Sequence, residues 1–418
     1  MRATTLRGPR GLVIIGVVAA VLLAGLGWGL FHPRDAPGLR LGLAGPFRDS
    51  SLTAAREIGV SDVLVEVEWR RAEPRQGQLD EEYLRDKAQQ VARLRAQGFR
   101  IALNTGIQDA PEWLLERPGA RFVNQFGDAY TERPVPNLLF GTELRPLAAS
   151  YLTRLLDRLG TEFSLVRVGG GPLGELSYPW IRNSDGRVEN FYWAFDDNAM
   201  RANPVPEWRP GMPSDRAEAH RFLTWYLDSL ARYQNWQIST LRGAGFGGPV
   251  AVLYPSYGMR PGDAEIAIDN NLGGTSAVEE SGDVQRGYDF ARQVSALTDL
   301  NTVIYATWGE QVDVVAYLAF LAHDDGRPAM AENSGANSRD EIDRALRNAA
   351  DQGLVAFYLV RAEDLTCECN GLATLDDVAR TYQSLAESPR RPLRRRGASR
   401  ERGHGSSWPR STRAVGCV

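Results

Sequence analysis

Cysteine and histidine are scarce in this chain, with three of one and four of the other among 418 residues. Cys367 and Cys369 stand two positions apart, a poor geometry for a mutual disulfide, and Cys417 lies near the end, so no disulfide framework is implied. His32, His220, His323 and His404 are scattered without the spacing of metal ligands, and no metal site is expected. The triple glycine Gly169–Gly171 is followed by no Lys-Ser/Thr phosphate loop, and no Gly-x-Gly-x-x-Gly opens a helix, so no nucleotide or other cofactor is implied. A positive face is lacking as well. The net charge is −4, yet residues 388–418 hold nine Arg against one Glu and the first ten residues hold three Arg, which leaves the long middle of the chain acidic. Phosphate backbones need positive surface, so nucleic acid is not an expected partner.

Long hydrophobic runs are missing too, with one exception. Arg2, Arg7 and Arg10 precede 21 uncharged, mostly apolar residues from Gly11 to Phe31. About 20 such residues span a bilayer, more than a signal-peptide core contains. Residues 1–32 are therefore expected to be a cytoplasmic tip and a signal-anchor transmembrane helix, with the arginines holding that end inside and the remainder sent out. Ala20 and Ala24 leave a cleaved signal, and hence a secreted protein, as the alternative. The expected location is the cell membrane, single-pass, with the body extracytoplasmic. Residues 388–418, rich in Arg, Pro, Ser and Gly with little to bury, read as a basic disordered tail.

Composition between these ends is that of a folded protein. From Leu39 onward short apolar runs alternate with amphipathic helical stretches, the pattern of β/α units around a parallel sheet. Eight runs are expected to be strands: Leu39–Ala44, Asp62–Trp69, Arg100–Asn104, Ser164–Gly169, Pro249–Tyr254, Asn301–Thr307, Pro328–Glu332 and Gly353–Val360. Helices are expected over Glu81–Gln97, Arg216–Arg242, Val284–Leu297, Asp313–His323, Ser338–Asp351 and Leu375–Glu387, where apolar residues recur at three- and four-residue steps. The fold class is accordingly an α/β (β/α)8 TIM barrel over residues 33–387, preceded by one transmembrane helix.

In such a barrel the loops after the carboxyl ends of the strands build the active site, and the two long insertions, residues 105–150 and 171–215, both fall there. The second holds Tyr178, Trp180, Tyr192, Trp193 and Trp208. These rings either stack on the apolar faces of sugars or pack the loop on itself. Glycosidic cleavage needs one protonated carboxyl for the leaving oxygen and a second carboxylate for the nucleophile. Glu175 follows the fourth strand in Arg167-Val-Gly-Gly-Gly-Pro-Leu-Gly-Glu-Leu-Ser-Tyr-Pro, and Glu332 ends the seventh in Pro328-Ala-Met-Ala-Glu-Asn-Ser-Gly. Strands four and seven face each other across a barrel, so these two are the expected catalytic pair. Glu66, Glu68, Trp69, Asp109, Trp113, Tyr178, Trp180, Trp193, Trp308 and Asn333 are the candidates for binding substrate.

At these positions the chain resembles a known family. Gly171–Pro179, Gly-Pro-Leu-Gly-Glu-Leu-Ser-Tyr-Pro, looks like the catalytic-acid motif of the β-amylases, glycoside hydrolase family fourteen. Gly59–Glu73 is similar to that family's second strand, Phe191–Met200 to the segment downstream of its acid, and Ala331-Glu332-Asn333 to the Glu-Asn of its base. The resemblance implies Glu175 as acid, Glu332 as base and an inverting outcome. It departs at Glu66, where the family has an aspartate that holds a sugar hydroxyl, and its closing loop after the third strand is not plainly present, Asp109 being the nearest loop carboxylate. Glu73-Pro74 and Pro111-Glu112-Trp113 also resemble the family forty-two β-galactosidases, which usually carry Asn before the acid where this chain has Gly174. The expectation is a hydrolase of a glucan or other extracellular or envelope polysaccharide. The alternatives are a catalytically inactive glycan-binding barrel anchored at the membrane and a retaining hydrolase or transglycosylase.

Overall fold

The computed structural model describes residues 38–387, apart from 46, 48, 185, 275–281, 336 and 367–370. The expected anchor helix and the basic tail lie outside the described residues. Among those described, no helix is long and apolar enough to cross a membrane.

Eight parallel strands close into one ring in chain order: β1 (Arg40–Ala44), β2 (Val60–Glu66), β3 (Arg100–Asn104), β4 (Leu165–Val168), β5 (Val250–Tyr254), β6 (Thr302–Ala306), β7 (Ala329–Glu332) and β8 (Ala356–Val360). The last strand pairs with the first over five consecutive residues, from Arg40 beside Ala356 to Ala44 beside Val360. The (β/α)8 barrel is thus as the alternation of apolar runs and helices implies.

Side chains of a strand alternate in direction, so every second residue points into the ring. Leu64, Ala102, Leu165, Leu253, Val303, Tyr305, Met330, Ala356 and Tyr358 form a closed inner cluster there. The positions facing outward, such as Val63, Val65, Ile101, Leu103, Val166 and Phe357, join a larger core beneath the helices. Charged residues can stand on the inner track only at its two ends. At the amino end, Asp62 is buried and lies 3.6 Å from Arg40 and 3.4 Å from Arg100. At the carboxyl end, two residues beyond Leu64, Leu165 and Met330, the same parity delivers Glu66, Arg167 and Glu332.

Helices cover the outside as their sequences dictate. Asp80 caps the helix Glu81–Ala96 by accepting from the Tyr83 amide at 2.9 Å, which satisfies one of the orphan donors of its first turn. The longest helix, Ala217–Gly243, lays Phe222, Tyr226, Leu230 and Tyr233 on the barrel side.

Several bounds differ from expectation, β8 beginning at Ala356 rather than Gly353 and the helix Arg145–Leu159 not being among those expected, and two of the differences have a visible cause. β2 stops at Glu66 rather than Trp69, because the Glu68 amide turns to the Tyr83 hydroxyl at 3.1 Å and Trp69 opens the one-turn helix Trp69–Ala72. The helix expected over Val284–Leu297 is only Phe290–Ser295, since Gly287 stands at φ +77° and breaks the helical path.

Candidate active site

The stretch after β4 folds back on itself. Gly171 donates to the Glu175 carbonyl at 2.7 Å, Gly170 to the Gly174 carbonyl at 3.3 Å, and Leu176 to the Leu253 carbonyl of β5 at 2.8 Å. The doubling-back works only with glycine. A Cβ at Gly169 would sit 2.1 Å from the Gly174 carbonyl oxygen, and Gly170 holds φ +97°, open only to a residue without a side chain at low strain. Gln237 clamps the turn from the long helix, accepting from the Gly169 amide at 3.3 Å and donating to its carbonyl at 2.9 Å. The result is that Glu175 is held by its backbone at the mouth, half-buried, beside the acceptor-rich end of the ring.

Burial pushes the Glu175 carboxyl up to about 7, and the negative charge of Glu332 adds to the push. Arg167, Arg286 and its own backbone amide oppose them. Glu332 is more tightly held. Arg167 Nη2 donates to its Oε1 at 2.9 Å, and the Tyr305 hydroxyl of β6 donates to Oε2 at 3.0 Å. The guanidinium also lies 4.9 Å from the centre of the Tyr305 ring. The Glu332 carboxyl also stands above its ordinary value, because burial outweighs the Arg167 charge and these two bonds. Two carboxyls close enough to feel each other's charge do not both ionise readily, and the one bonded to a cation ionises first. Glu332, bonded to Arg167, is thus the better placed of the two to carry a charge.

A cavity of about 430 Å³ opens over β1 to β3, lined among others by Phe47, Glu66, Glu68, Lys87, Gln108 and Asp109. Glu66 is exposed there. Glu68 pairs with Arg70 at 2.8 Å and Arg71 at 3.5 Å, which lower its pKa against the raising effect of burial. Asp109 is pushed up by burial. A Cβ placed on Gly174 would meet Gln108 Nε2 at 3.6 Å, so the cavity adjoins the Glu175 turn.

The aromatic candidates divide. Trp180 and Trp308 keep part of their rings open. Trp69, Tyr178 and Trp193 do not: Trp69 stacks on Tyr151 at 4.8 Å with its indole nitrogen bonded to Glu73, Tyr178 stacks on Tyr226 at 3.7 Å, and Trp193 packs on Tyr130 at 5.3 Å. All three are fully covered by protein, which corrects the expectation that their faces are offered to sugar. Trp113 packs edge-on against Trp69 and donates to the Glu73 carbonyl at 3.0 Å. Asn333 is buried as well, donating to Asn337 at 2.8 Å and accepting from the Val360 amide at 2.8 Å, so it ties the end of β7 to β8. Of the sequence candidates, Glu66, Glu68 and Asp109 line the cavity, and Glu332 lies near enough for its charge to act on Glu175 and for that of Glu66 to act on Glu332.

Arg167, Tyr305, Arg286 and Lys87 are residues the sequence reading missed. Arg167 and Tyr305 did leave a signal, a polar side chain inside a short strand whose neighbours are all apolar. Lys87 sits on a helix face and Arg286 in a loop, where charge is ordinary.

No family model matches the chain, and no curated protein matches it either. Solved structures do. It is similar to the catalytic domain of a β-amylase from Paenibacillus polymyxa, at 16% identity and a TM-score of 0.66 over 84% of this chain and 100% of that one. It is similar also to β-galactosidase from the psychrophilic Marinomonas ef1, at 13% identity and a TM-score of 0.57, spanning 83% of this chain and 59% of that one. At these identities the likeness is one of fold.

Proposed function

We propose that this chain is a glycoside hydrolase that cleaves a glucan or another extracellular or envelope polysaccharide with Glu175 as general acid and Glu332 as general base. The observation that carries the reading is the contrast between the two carboxyls of one mouth. Burial and the neighbouring negative charge hold Glu175 protonated up to about pH 7, while Arg167 and Tyr305 grip both oxygens of Glu332. Acid and base assignments follow from environments that push two titratable groups apart. The enzymes that share the fold, a β-amylase and β-galactosidases, act on glycosides, which supports the class without naming the substrate.

In the reaction the bond from the anomeric carbon to the leaving oxygen breaks with its electron pair going to that oxygen, which takes the Glu175 proton. Water forms the new bond to carbon and gives its proton to Glu332. Exchange with solvent then restores both groups. If the two carboxyls lie about 6.5–9.5 Å apart a water fits between sugar and base and the product is inverted, whereas about 5–5.5 Å makes Glu332 the nucleophile and retains configuration. We propose further that the apolar run Gly11–Phe31 anchors the chain in the cell membrane with the barrel outside.

The test is to incubate the protein with a panel of polysaccharides and follow the anomer first released by NMR. Release of one anomer by the native chain and none by Glu175→Gln supports the reading. Equal release by both, or none by either, sinks it.

A further inference from the structure

Strand order in a closed ring fixes angular position at the mouth. With eight strands, β2 and β6 stand at opposite ends of one diameter, and β4 and β7 fall on opposite sides of that diameter. Glu175 follows β4 and Glu332 ends β7. Anything laid from β2 to β6 therefore passes between the two carboxyls.

The two ends of this line are chemically distinct. Over β6, Trp308 is fixed by its own backbone. Gly309 donates to the Glu332 carbonyl at 2.7 Å, and the Ser334 amide donates to Glu310 at 3.1 Å, so the segment after β6 is fastened to the end of β7. Tyr257, just beyond β5, meets the Trp308 ring at 5.5 Å and 83°, and is 45% exposed. Two rings at right angles make an open apolar corner beside Glu332. Over β2 lies the polar cavity. Its cation, Lys87, is the only lysine in a chain that holds 48 lysine and arginine residues together. It faces Glu66 and Glu68, with Arg71 as the nearby like charge and the Tyr83 ring 5.6 Å away. An ammonium on a flexible stem donates three bonds in any direction, which suits scattered hydroxyls better than the planar fork of arginine, and Glu66 and Asp109 supply acceptors.

We infer that the saccharide lies across the mouth along the β2–β6 diameter, one sugar in the cavity beside Lys87 and another against the faces of Tyr257 and Trp308. The inference rests on the hydrolase reading above and adds the path and its two end contacts. It makes the ligand an oligomer of at least two sugars, since one ring cannot touch both ends.

Because Lys87 is the only lysine, an amine-acylating reagent reports on the cavity end alone when modification is read by peptide mass. The full-length chain carrying Glu175→Gln, which slows turnover under the hydrolase reading, is labelled in the presence of malto-, cello- or β-1,4-galacto-pentasaccharide. The expected result is that one of these protects Lys87, and that the concentration for half protection rises about tenfold when Trp308→Ala or Tyr257→Ala is added at the far end, with Trp308→Phe recovering most of the loss. Melting curves of the Ala and Phe variants separate this from misfolding. An unchanged half-protection concentration in both Ala variants overturns the path, as does a pentasaccharide that is hydrolysed by the native chain yet leaves Lys87 labelling untouched. The hydrolase reading fails separately, when the native chain cleaves none of the panel although the aromatic variants still weaken protection. If no pentasaccharide is cleaved or protects, both ideas fall.

Discussion

Among the described residues no cation is bonded to Glu175, though the charges of Arg167 and Arg286 are near, and that leaves two measurable marks. The first is kinetic. Under the acid/base reading the activity must fall on the alkaline side as Glu175 loses its proton, so kcat/KM should decline through about pH 7. Glu175→Gln should lower kcat by about 10²–10⁴-fold while oligosaccharide binding by calorimetry persists. The second mark is on stability. A carboxyl whose folded pKa is raised binds its proton more tightly in the native state, so folding weakens as pH rises from about the unfolded value of 4.5 to about 7. Glu175→Gln removes that penalty, and the variant should melt higher than the native chain at pH 8 and at the same temperature at pH 4. The gain amounts to at most about 3 kcal/mol, and equal melting at pH 8 counts against a raised pKa. Arg167→Met acts on the partner. It leaves Glu332 buried with only Tyr305, so the acid limb of the pH profile should move to higher pH, and breaking the buried pair should cost about 3 kcal/mol in a denaturant titration.

At the scale of the element, the turn from Gly169 to Glu175 governs where the Glu175 carboxyl stands. Gly169→Ala places a methyl group on the Gly174 carbonyl and must shift the turn, so we expect about a hundredfold loss of kcat/KM with a much smaller loss of stability. A variant with unchanged activity would show that the turn does not position the acid. The strands themselves were readable in the sequence because each is a short apolar run bounded by turns, and a parallel strand buried on both faces has no other pattern. Where strand and loop share the same residues the reading slips. Val67-Glu68-Trp69 continues the alternation of β2, yet the Glu68 amide donates to the Tyr83 hydroxyl and the Trp69 indole to Glu73, and the strand ends three residues sooner. The two glutamates could be found from strand ends, but an aromatic ring in a sequence carries no mark of which side is covered. Trp69, Tyr178 and Trp193 went to the core for that reason, while Trp308, chemically the same as two of them, stayed open at the mouth.

For the molecule as a whole, β1 meets β8 to close the ring, and a small residue stands at that seam. A Cβ on Gly42 of β1 would lie 2.6 Å from the Tyr358 ring of β8, inside the barrel. Gly42→Ala should therefore destabilise the entire fold by about 1–3 kcal/mol, lowering one cooperative transition rather than fraying one edge. A second feature bears on turnover. The segment between β4 and β5 is packed from within by Tyr178, Tyr192 and Phe222 against Tyr226, ring on ring. These rings tie that segment to the long helix Ala217–Gly243. Under the hydrolase reading, a segment so fastened need not open to release sugar, so the chemical step sets the turnover and thickening the medium with glycerol should leave kcat where it was, in contrast to an enzyme that must lift a flap to let its product go.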